Sequence, residues 1–145
     1  MTPKSTEAAA QIAETVDVEV RYAETDAQGV VHHSNYIVWL ELARTALCRH
    51  SGYSYAEIEA MGFQLVVTGV QLRYRIGARY GDTVQVRCVL GKFKSRGLVF
   101  TYEVRRGDEL LAEGETDHVW VSRDTGRPCR VPKPLEDEFR RIAGS

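Results

Sequence analysis

The segment from Arg21 to Tyr36, RYAETDAQGVVHHSNY, places several ionisable side chains and a glycine between an expected strand and an expected helix. Asp26 could act there as a nucleophile or as a general base toward water. The first backbone N–H groups of the following helix have no partners within the helix and carry partial positive charge, so they can stabilise an oxygen that gains negative charge. A carboxylate beside such donors is suited to the hydrolysis of an ester or thioester.

The same segment also fits a structure without chemistry. An aspartate shortly before a glycine is common in turns, so Asp26 could simply cap one. A metal site built on His32 and His33 is disfavoured, because adjacent side chains point apart and no third ligand has a suitable spacing. We therefore expect no metal.

Hydrophobic periodicity predicts the elements on either side of the segment. Apolar and polar residues alternate over Val16–Tyr22, which indicates a half-buried strand. Ser34 or Asn35 is expected to cap a helix that runs to about His50, with Gly52 as its terminator. Apolar side chains cover most of the circumference of this helix, so it should be buried on most sides.

Four further strands are predicted in close succession, separated by turns that contain glycine. They cover roughly residues 63–76, 83–93, 98–106 and 110–123. Their short connections indicate antiparallel hairpins. The expected fold class is α+β, with one long central helix against a five-stranded antiparallel sheet.

Composition restricts the class of protein. The chain has 145 residues, of which 43% are hydrophobic and 27% charged, and its formal net charge is −1. This indicates a globular chain without the basic surface expected of a nucleic-acid-binding protein. No apolar run approaches the length of a membrane span, so we expect neither nucleic acid nor membrane as a partner. Three scattered cysteines favour reduced thiols and a cytoplasmic location.

The ends and edges of the domain give three further expectations. Residues 1–15 lack the apolar centre of a secretory signal and should form a flexible leader, followed by a single domain over residues 16–145. A short, exposed helix is predicted after Pro134. Bare edge strands favour pairing across a two-fold axis, which predicts a homodimer or a homotetramer.

The run RYAETDAQGVVHHSNYIVWLELAR resembles the signature of the 4-hydroxybenzoyl-CoA thioesterase-like branch of the hotdog-fold superfamily, and in particular the acyl-CoA thioesterases associated with the Tol-Pal system. The runs LRYRIGARYGDTVQVR, SRGLVFTYEV and LLAEGETDHVWV resemble strands of the same family. The resemblance implies a hotdog fold and the hydrolysis of an acyl-CoA thioester to a carboxylic acid and CoA. It implies no cofactor, since CoA is part of the substrate.

The resemblance also implies roles for individual residues. Asp26 stands where the family has its catalytic carboxylate, and His33 stands where a backbone N–H contributes to the oxyanion hole. A histidine at this position fits the Tol-Pal-like group better than the hydroxybenzoyl-CoA enzymes. Gly29, His32 and Tyr36 are expected to bind substrate, with His32 departing from the tyrosine or tryptophan that is frequent there.

Two further sets of residues have competing interpretations. Glu41 lies on the central helix, where other hotdog thioesterases carry their catalytic acid, but it could equally pair with Arg44 one turn later. The loop motif favours the ion pair. Lys94 and Arg96 lie in the densest basic turn, GKFKSRG, and are predicted to bind the phosphates of CoA at the mouth of the site; the alternative is a solvated hairpin.

Two other functions remain open at this point. One is a hotdog dehydratase acting on 3-hydroxyacyl thioesters, which would need a histidine such as His33 as its base, paired with a carboxylate. The other is a protein that binds acyl-CoA without cleaving it. The loop motif does not resemble the dehydratase branch, and an intact Asp26 favours hydrolysis over binding alone.

Overall fold

The computed structural model describes residues 10–94 and 96–144. Within them, the strands and helices follow in this order: β1 Ala13–Glu19, α1 His33–Cys48, α2 Tyr55–Ala60, β2 Phe63–Tyr74, β3 Thr83–Phe93, β4 Gly97–Arg106, β5 Glu109–Ser122 and α3 Lys133–Ala143. Tyr22–Glu24 and Arg49–Ser51 form short 3-10 turns. None of the helices in this part of the chain is long and apolar enough to span a lipid bilayer.

The strands form one antiparallel sheet in the order β1-β3-β4-β5-β2, so β1 and β2 are its edges in the described chain. Helix α1 packs across the inner face against β1 and β3. Leu40, Ala43 and Leu47 of α1 are fully buried in this contact, whereas Ile37, Val38 and Leu42 on its other face are 44%, 50% and 51% exposed. The prediction that this helix is buried on most sides is therefore wrong for the described chain, because the sheet covers only one of its faces. The predicted α+β architecture, a long central helix against a five-stranded antiparallel sheet, is confirmed.

The start of α1 differs from the prediction, whereas its end agrees. His32 is the N-cap, and its ring Nδ1 accepts a hydrogen bond from the backbone N–H of Ser34 at 3.2 Å. The prediction that Ser34 or Asn35 caps the helix is therefore wrong, because an imidazole nitrogen supplies the acceptor that a hydroxyl or amide oxygen usually supplies. At the other end the helical segment stops at Gly52, whose φ of +84° is readily adopted by glycine.

The N-terminal strand is longer than expected. It begins at Ala13, which pairs with Val89 of β3, so residues 13–15 belong to the sheet and not to a leader. The alternation that predicted this strand continues through Ala13 and Thr15, where the side chains are small or polar and the signal is weak. Residues 1–9 of the predicted leader lie outside the described residues, and their flexibility stays a prediction.

The C-terminal helix α3 is not exposed as predicted. Leu135, Phe139 and Ile142 are fully buried, and the Phe139 ring packs edge-to-face on Trp120 with centroids 5.3 Å apart. The three apolar residues recur at helical spacing, so they form one buried stripe although most of the helix is charged. Arg140 lies over the ring of Phe93, the last residue of β3. Helix α3 thus covers the core at the end where β3 finishes.

Candidate active site

The Asp26 loop is a tight turn closed by a glycine. The Asp26 N–H donates to the Val30 carbonyl at 2.8 Å, and the Gly29 N–H donates to the Asp26 carbonyl at 3.0 Å. Gly29 has a φ of +82°. Asp26 Oδ1 accepts from the Gln28 N–H at 2.8 Å, whereas Oδ2 has no hydrogen-bond partner among the described residues. Asp26 therefore caps its turn with one oxygen and leaves the other available to substrate or water.

Glu24 anchors this loop to the central helix. Its buried carboxylate accepts hydrogen bonds from the backbone N–H of Arg21 at 2.8 Å and from the indole N–H of Trp39 at 3.0 Å. Burial acts to raise the pKa of Glu24, but these bonds and the Arg21 charge together hold it below its usual value. The Glu24 carbonyl also accepts from the His32 N–H at 2.8 Å and from the Asn35 side chain at 3.0 Å.

Sequence reasoning assigned Glu24 no role. Its only signal there was its position, two residues before Asp26. One of its partners, Trp39, belongs to the central helix and becomes a neighbour only through the fold. Glu24 fixes the position of Asp26 relative to the start of α1.

The first backbone N–H of α1 is free. The His33 N–H has no acceptor among the described residues, whereas the N–H groups of His32 and Ser34 on either side are both hydrogen-bonded. A free amide at the positive end of a 16-residue helix is suited to stabilising an oxyanion. The exposed His33 ring stacks on that of His32, with centroids 4.2 Å apart. The oxyanion role that the family resemblance implies for this amide stays a prediction.

Tyr36 is buried, so its contacts in one chain are with protein. Its hydroxyl accepts a hydrogen bond from the Ala78 N–H at 3.2 Å, and burial raises the pKa of this hydroxyl. The Ala78 carbonyl in turn accepts from the Val31 N–H at 2.8 Å. Tyr36 therefore stabilises the segment around Ala78, which connects β2 to β3 and is hydrogen-bonded to the end of the Asp26 loop. Tyr74 is the more open tyrosine; it is exposed and donates to the His33 carbonyl at 3.3 Å.

Glu41 lies on the solvent side of α1. Its side chain is 67% exposed, and its Oε2 lies 3.7 Å from Nη2 of Arg44. This is the ion pair that was weighed against a catalytic role. Glu41 lies eight positions after His33, a distance of about 12 Å along the helix.

Lys94 and Arg96 lie at the opposite end of the sheet from Asp26. The Asp26 loop is bound to Ala78 and neighbouring residues just before β3 begins, whereas Lys94 follows the last residue of β3. A strand of 11 residues is about 35 Å long. The structure therefore does not bring this basic turn to Asp26 within one chain. A role in binding substrate stays a prediction that requires a second copy.

Two cavities of the described chain lie away from the loop. One, of about 680 Å³, is on the outer face of the sheet, where Arg73, Arg87, Glu103 and Glu113 are among its lining residues. A second, about 560 Å³, is lined by Lys94 and Arg96 together with Thr68, Asp117 and Val119. The chemistry of the Asp26 loop, rather than cavity volume, locates the candidate site, which is open in a single chain.

His118 is buried at the end of a polar chain in the core. Arg44 donates to the Tyr102 hydroxyl at 3.2 Å, that hydroxyl lies 2.6 Å from Thr116 Oγ1, and Thr116 Oγ1 lies 2.8 Å from His118 Nε2. Burial, and secondarily the Arg44 charge, lower the pKa of His118 to about 4. The imidazole contacts no carboxylate among the described residues, so it does not form a histidine–carboxylate pair of the kind expected in a dehydratase.

Comparison with known proteins gives consistent matches over nearly the whole domain. Residues 20–139 match the family model described as the thioesterase-like superfamily. The chain is 32% identical over 124 residues to the acyl-CoA thioester hydrolase YbgC of Escherichia coli. The aligned region covers 85% of this chain and 92% of that protein.

Two solved structures are similar in both sequence and fold. The hypothetical protein TT1821 from Thermus thermophilus matches with a TM-score of 0.84 and 40% identity, over 89% of this chain and 98% of that one. The DHNA-CoA thioesterase from Staphylococcus aureus matches with a TM-score of 0.83 and 31% identity, over 90% of this chain and 89% of that one.

Proposed function

The chain belongs to the thioesterase-like superfamily and has the hotdog fold, and from that premise we propose that it is an acyl-CoA thioesterase. It hydrolyses an acyl-CoA thioester to a carboxylic acid and CoA. One observation carries the assignment of the site: a carboxylate with a free oxygen, Asp26, shares a short, internally bonded segment with the free N–H of His33 at the start of α1.

The roles of these two groups follow from how charge moves during the reaction. The thioester carbonyl oxygen accepts a hydrogen bond from the His33 N–H and gains negative charge as its carbon becomes tetrahedral. Asp26 either attacks that carbon, giving an anhydride that water then cleaves, or takes a proton from the water that attacks. In both routes the carbon–sulfur bond breaks, and the CoA thiolate leaves and takes up a proton.

We further infer that the protein is a homodimer paired through β2, because the two sheet edges differ in character. The β1 edge carries Glu14, Asp17 and Glu19, and charges on an edge strand oppose pairing with another strand. The β2 edge instead has apolar side chains that are between 39% and 44% exposed, namely Val66, Val67 and Val70. An apolar edge strand of 12 residues favours a second copy.

Such a dimer gives Lys94 and Arg96 a route to the substrate. Antiparallel pairing of two β2 strands across a two-fold axis sets the start of one strand beside the end of the other. The end of the sheet that carries Lys94 and Arg96 in one chain then lies on the same side as Asp26 in the other. If Lys94 and Arg96 bind CoA, they therefore do so at the neighbouring chain's site.

The test is thiol release over a panel of aliphatic and aromatic acyl-CoAs. Wild type should turn over, and Asp26→Asn should lose at least about a hundredfold in kcat while unfolding at the same temperature. Glu41→Gln is the matched control, since it neutralises a carboxylate on the neighbouring helix and should retain activity. Full activity in Asp26→Asn with none in Glu41→Gln would reverse the assignment. Tight acyl-CoA binding in calorimetry without turnover would identify a binding protein instead.

A further inference from the structure

Two tyrosines are exposed side by side at the Asp26 end of the molecule. Tyr22 is 76% and Tyr80 66% exposed, the highest values among the large apolar side chains of the described residues. Their rings meet edge-to-face with centroids 5.6 Å apart. Single exposed apolar residues are normal on a protein surface, but these two tyrosines contact one another, and aromatic side chains commonly line ligand sites.

An unpaired guanidinium connects this pair to the Asp26 turn. Arg79 Nη1 lies 3.6 Å from the point that a Cβ atom on Gly29 would occupy, so it sits over the turn that Gly29 closes. The guanidinium makes neither an ion pair nor a hydrogen bond with any described residue. Arg79 precedes Tyr80 in the chain, so one short segment carries both a cation and an aromatic face.

The backbone beneath these side chains is held in place. The Arg79 N–H donates to Asp82 Oδ2 at 2.9 Å, and the Asp82 N–H returns a bond to the Arg79 carbonyl at 3.0 Å. The Asp82 carbonyl accepts from the Val20 N–H at 2.8 Å. The Tyr22 carbonyl accepts from both the N–H and the hydroxyl of Thr25. A rigid backbone under free side chains lowers the cost of ordering a ligand.

We propose that Arg79, Tyr80 and Tyr22 form a subsite for the adenosine nucleotide of CoA, on the same chain as the Asp26 it serves. The inference rests on the proposed function and extends it to the part of the substrate that does not react. Aromatic rings bind a purine by stacking, and arginine is well suited to phosphate oxygens. Lys94 and Arg96, which lie at the far end of the sheet in the same chain, are the competing nucleotide contacts from a second copy.

The position of the subsite suits a dimer. In the sheet order, β1 and β3 lie at the side away from β2, and the segment with Arg79 and Tyr80 leads directly into β3. Pairing through β2 therefore leaves this surface open to solvent. Each chain keeps its own nucleotide subsite beside its own Asp26 loop.

The experiment compares acyl-CoA with the matching acyl-phosphopantetheine, which keeps the thioester and the pantetheine arm but lacks the adenosine nucleotide. Arg79→Gln and Tyr80→Leu should each raise the KM for acyl-CoA about tenfold at constant kcat, and the ratio of kcat/KM values for the two substrates should fall by the same factor. Arg87→Gln, an exposed arginine on the outer face of the sheet, is the matched control and should change neither substrate.

The KM values of the variants can also contradict the proposed subsite. An unchanged KM for acyl-CoA in both variants would overturn it, and so would an equal loss with both substrates. A KM for acyl-CoA that rises only in Arg96→Gln would overturn it, because the nucleotide would then be bound by the second copy. Should wild type cleave neither substrate, the thioesterase proposal fails, and calorimetry with CoA then tests the subsite alone: Arg79→Gln must weaken binding about tenfold, or the subsite is also wrong.

Discussion

At the scale of single residues, two buried tryptophans provide a direct comparison. Trp39 and Trp120 are both almost completely buried. The Trp39 indole N–H donates to the Glu24 carboxylate at 3.0 Å, whereas the Trp120 indole N–H has no partner among the described residues. The two side chains thus contribute similar apolar burial, but only one satisfies a buried charge.

We expect Trp39→Phe to be more destabilising than Trp120→Phe by about 1–3 kcal/mol, because it leaves a buried carboxylate without a donor. The measurement is urea unfolding of both variants beside wild type. Activity should follow the same order, since Glu24 positions the Asp26 loop. Equal losses of stability in the two variants would mean that the indole bond to Glu24 contributes nothing net.

The residue scale also shows how far the sequence alone could reach. Asp26, Gly29 and His33 lie within one short segment, so the sequence alone was enough to predict that they lie close together. Glu24 was missed because its partner Trp39 belongs to another element. The end of the sheet at which Arg96 lies could not be predicted for a related reason: a dense basic turn indicates charge, but only the strand direction places it.

At the scale of elements, the central helix is joined to β4 and β5 by the polar chain from Arg44 through Tyr102 and Thr116 to His118. Such a chain in an otherwise apolar layer makes the packing sensitive to protonation. His118 titrates at about 4 in the folded protein and near 6.5 when solvated. Between these values the unfolded chain binds a proton that the folded chain does not.

The free energy of unfolding should therefore fall as the pH drops from 6.5 toward 4, with His118 accounting for at most about 3 kcal/mol of the loss. His118→Gln keeps a polar atom near Thr116 and cannot be protonated, so its stability should depend less on pH over this interval. Urea titrations of both proteins at pH 7 and pH 4.5 measure the difference. Parallel losses in the two proteins would rule out His118 as the source.

Elements were predictable where the pattern is local and periodic. Alternation and glycine turns predicted the five strands, and apolar periodicity predicted the central helix. Three predictions about the helices were wrong because they depend on context. Helix α1 is not buried on most sides, since its apolar residues Ile37, Val38 and Leu42 are exposed in the described chain. Helix α3 has a charged majority, which masked the buried stripe of Leu135, Phe139 and Ile142, and the cap of α1 is an imidazole, which ordinary capping preferences rank low.

At the scale of the whole molecule, the contrast between the two sheet edges decides how chains associate. The charged β1 edge is protected against further pairing, and the apolar β2 edge is not. Burial of the exposed valines of β2 in a symmetric contact would remove the main apolar surface on that side. The homodimer stays a prediction, and the contrast between the two edges predicts that it pairs through β2.

Val70→Lys on β2 should shift the protein toward monomer, because two lysines would face one another near the two-fold axis. Thr15→Lys places the same charge on the β1 edge and should leave the assembly unchanged. Sedimentation velocity over a range of concentrations measures both. Dissociation caused by Thr15→Lys alone would show that the interface lies at β1. A monomeric wild type would show that the predicted dimer does not form.

The sheet order has a consequence for folding of the chain during its synthesis on the ribosome. Strand β2 is synthesised before β3 and β4, but it pairs with β5, and Phe63 meets Ser122. At usual rates of translation, β2 waits roughly 2–10 s for that partner to be made. During this interval an apolar strand emerges with both edges unpaired, while α1 can already form from local contacts. Nascent chains should therefore be most dependent on chaperones after β2 has emerged and before β5 is complete.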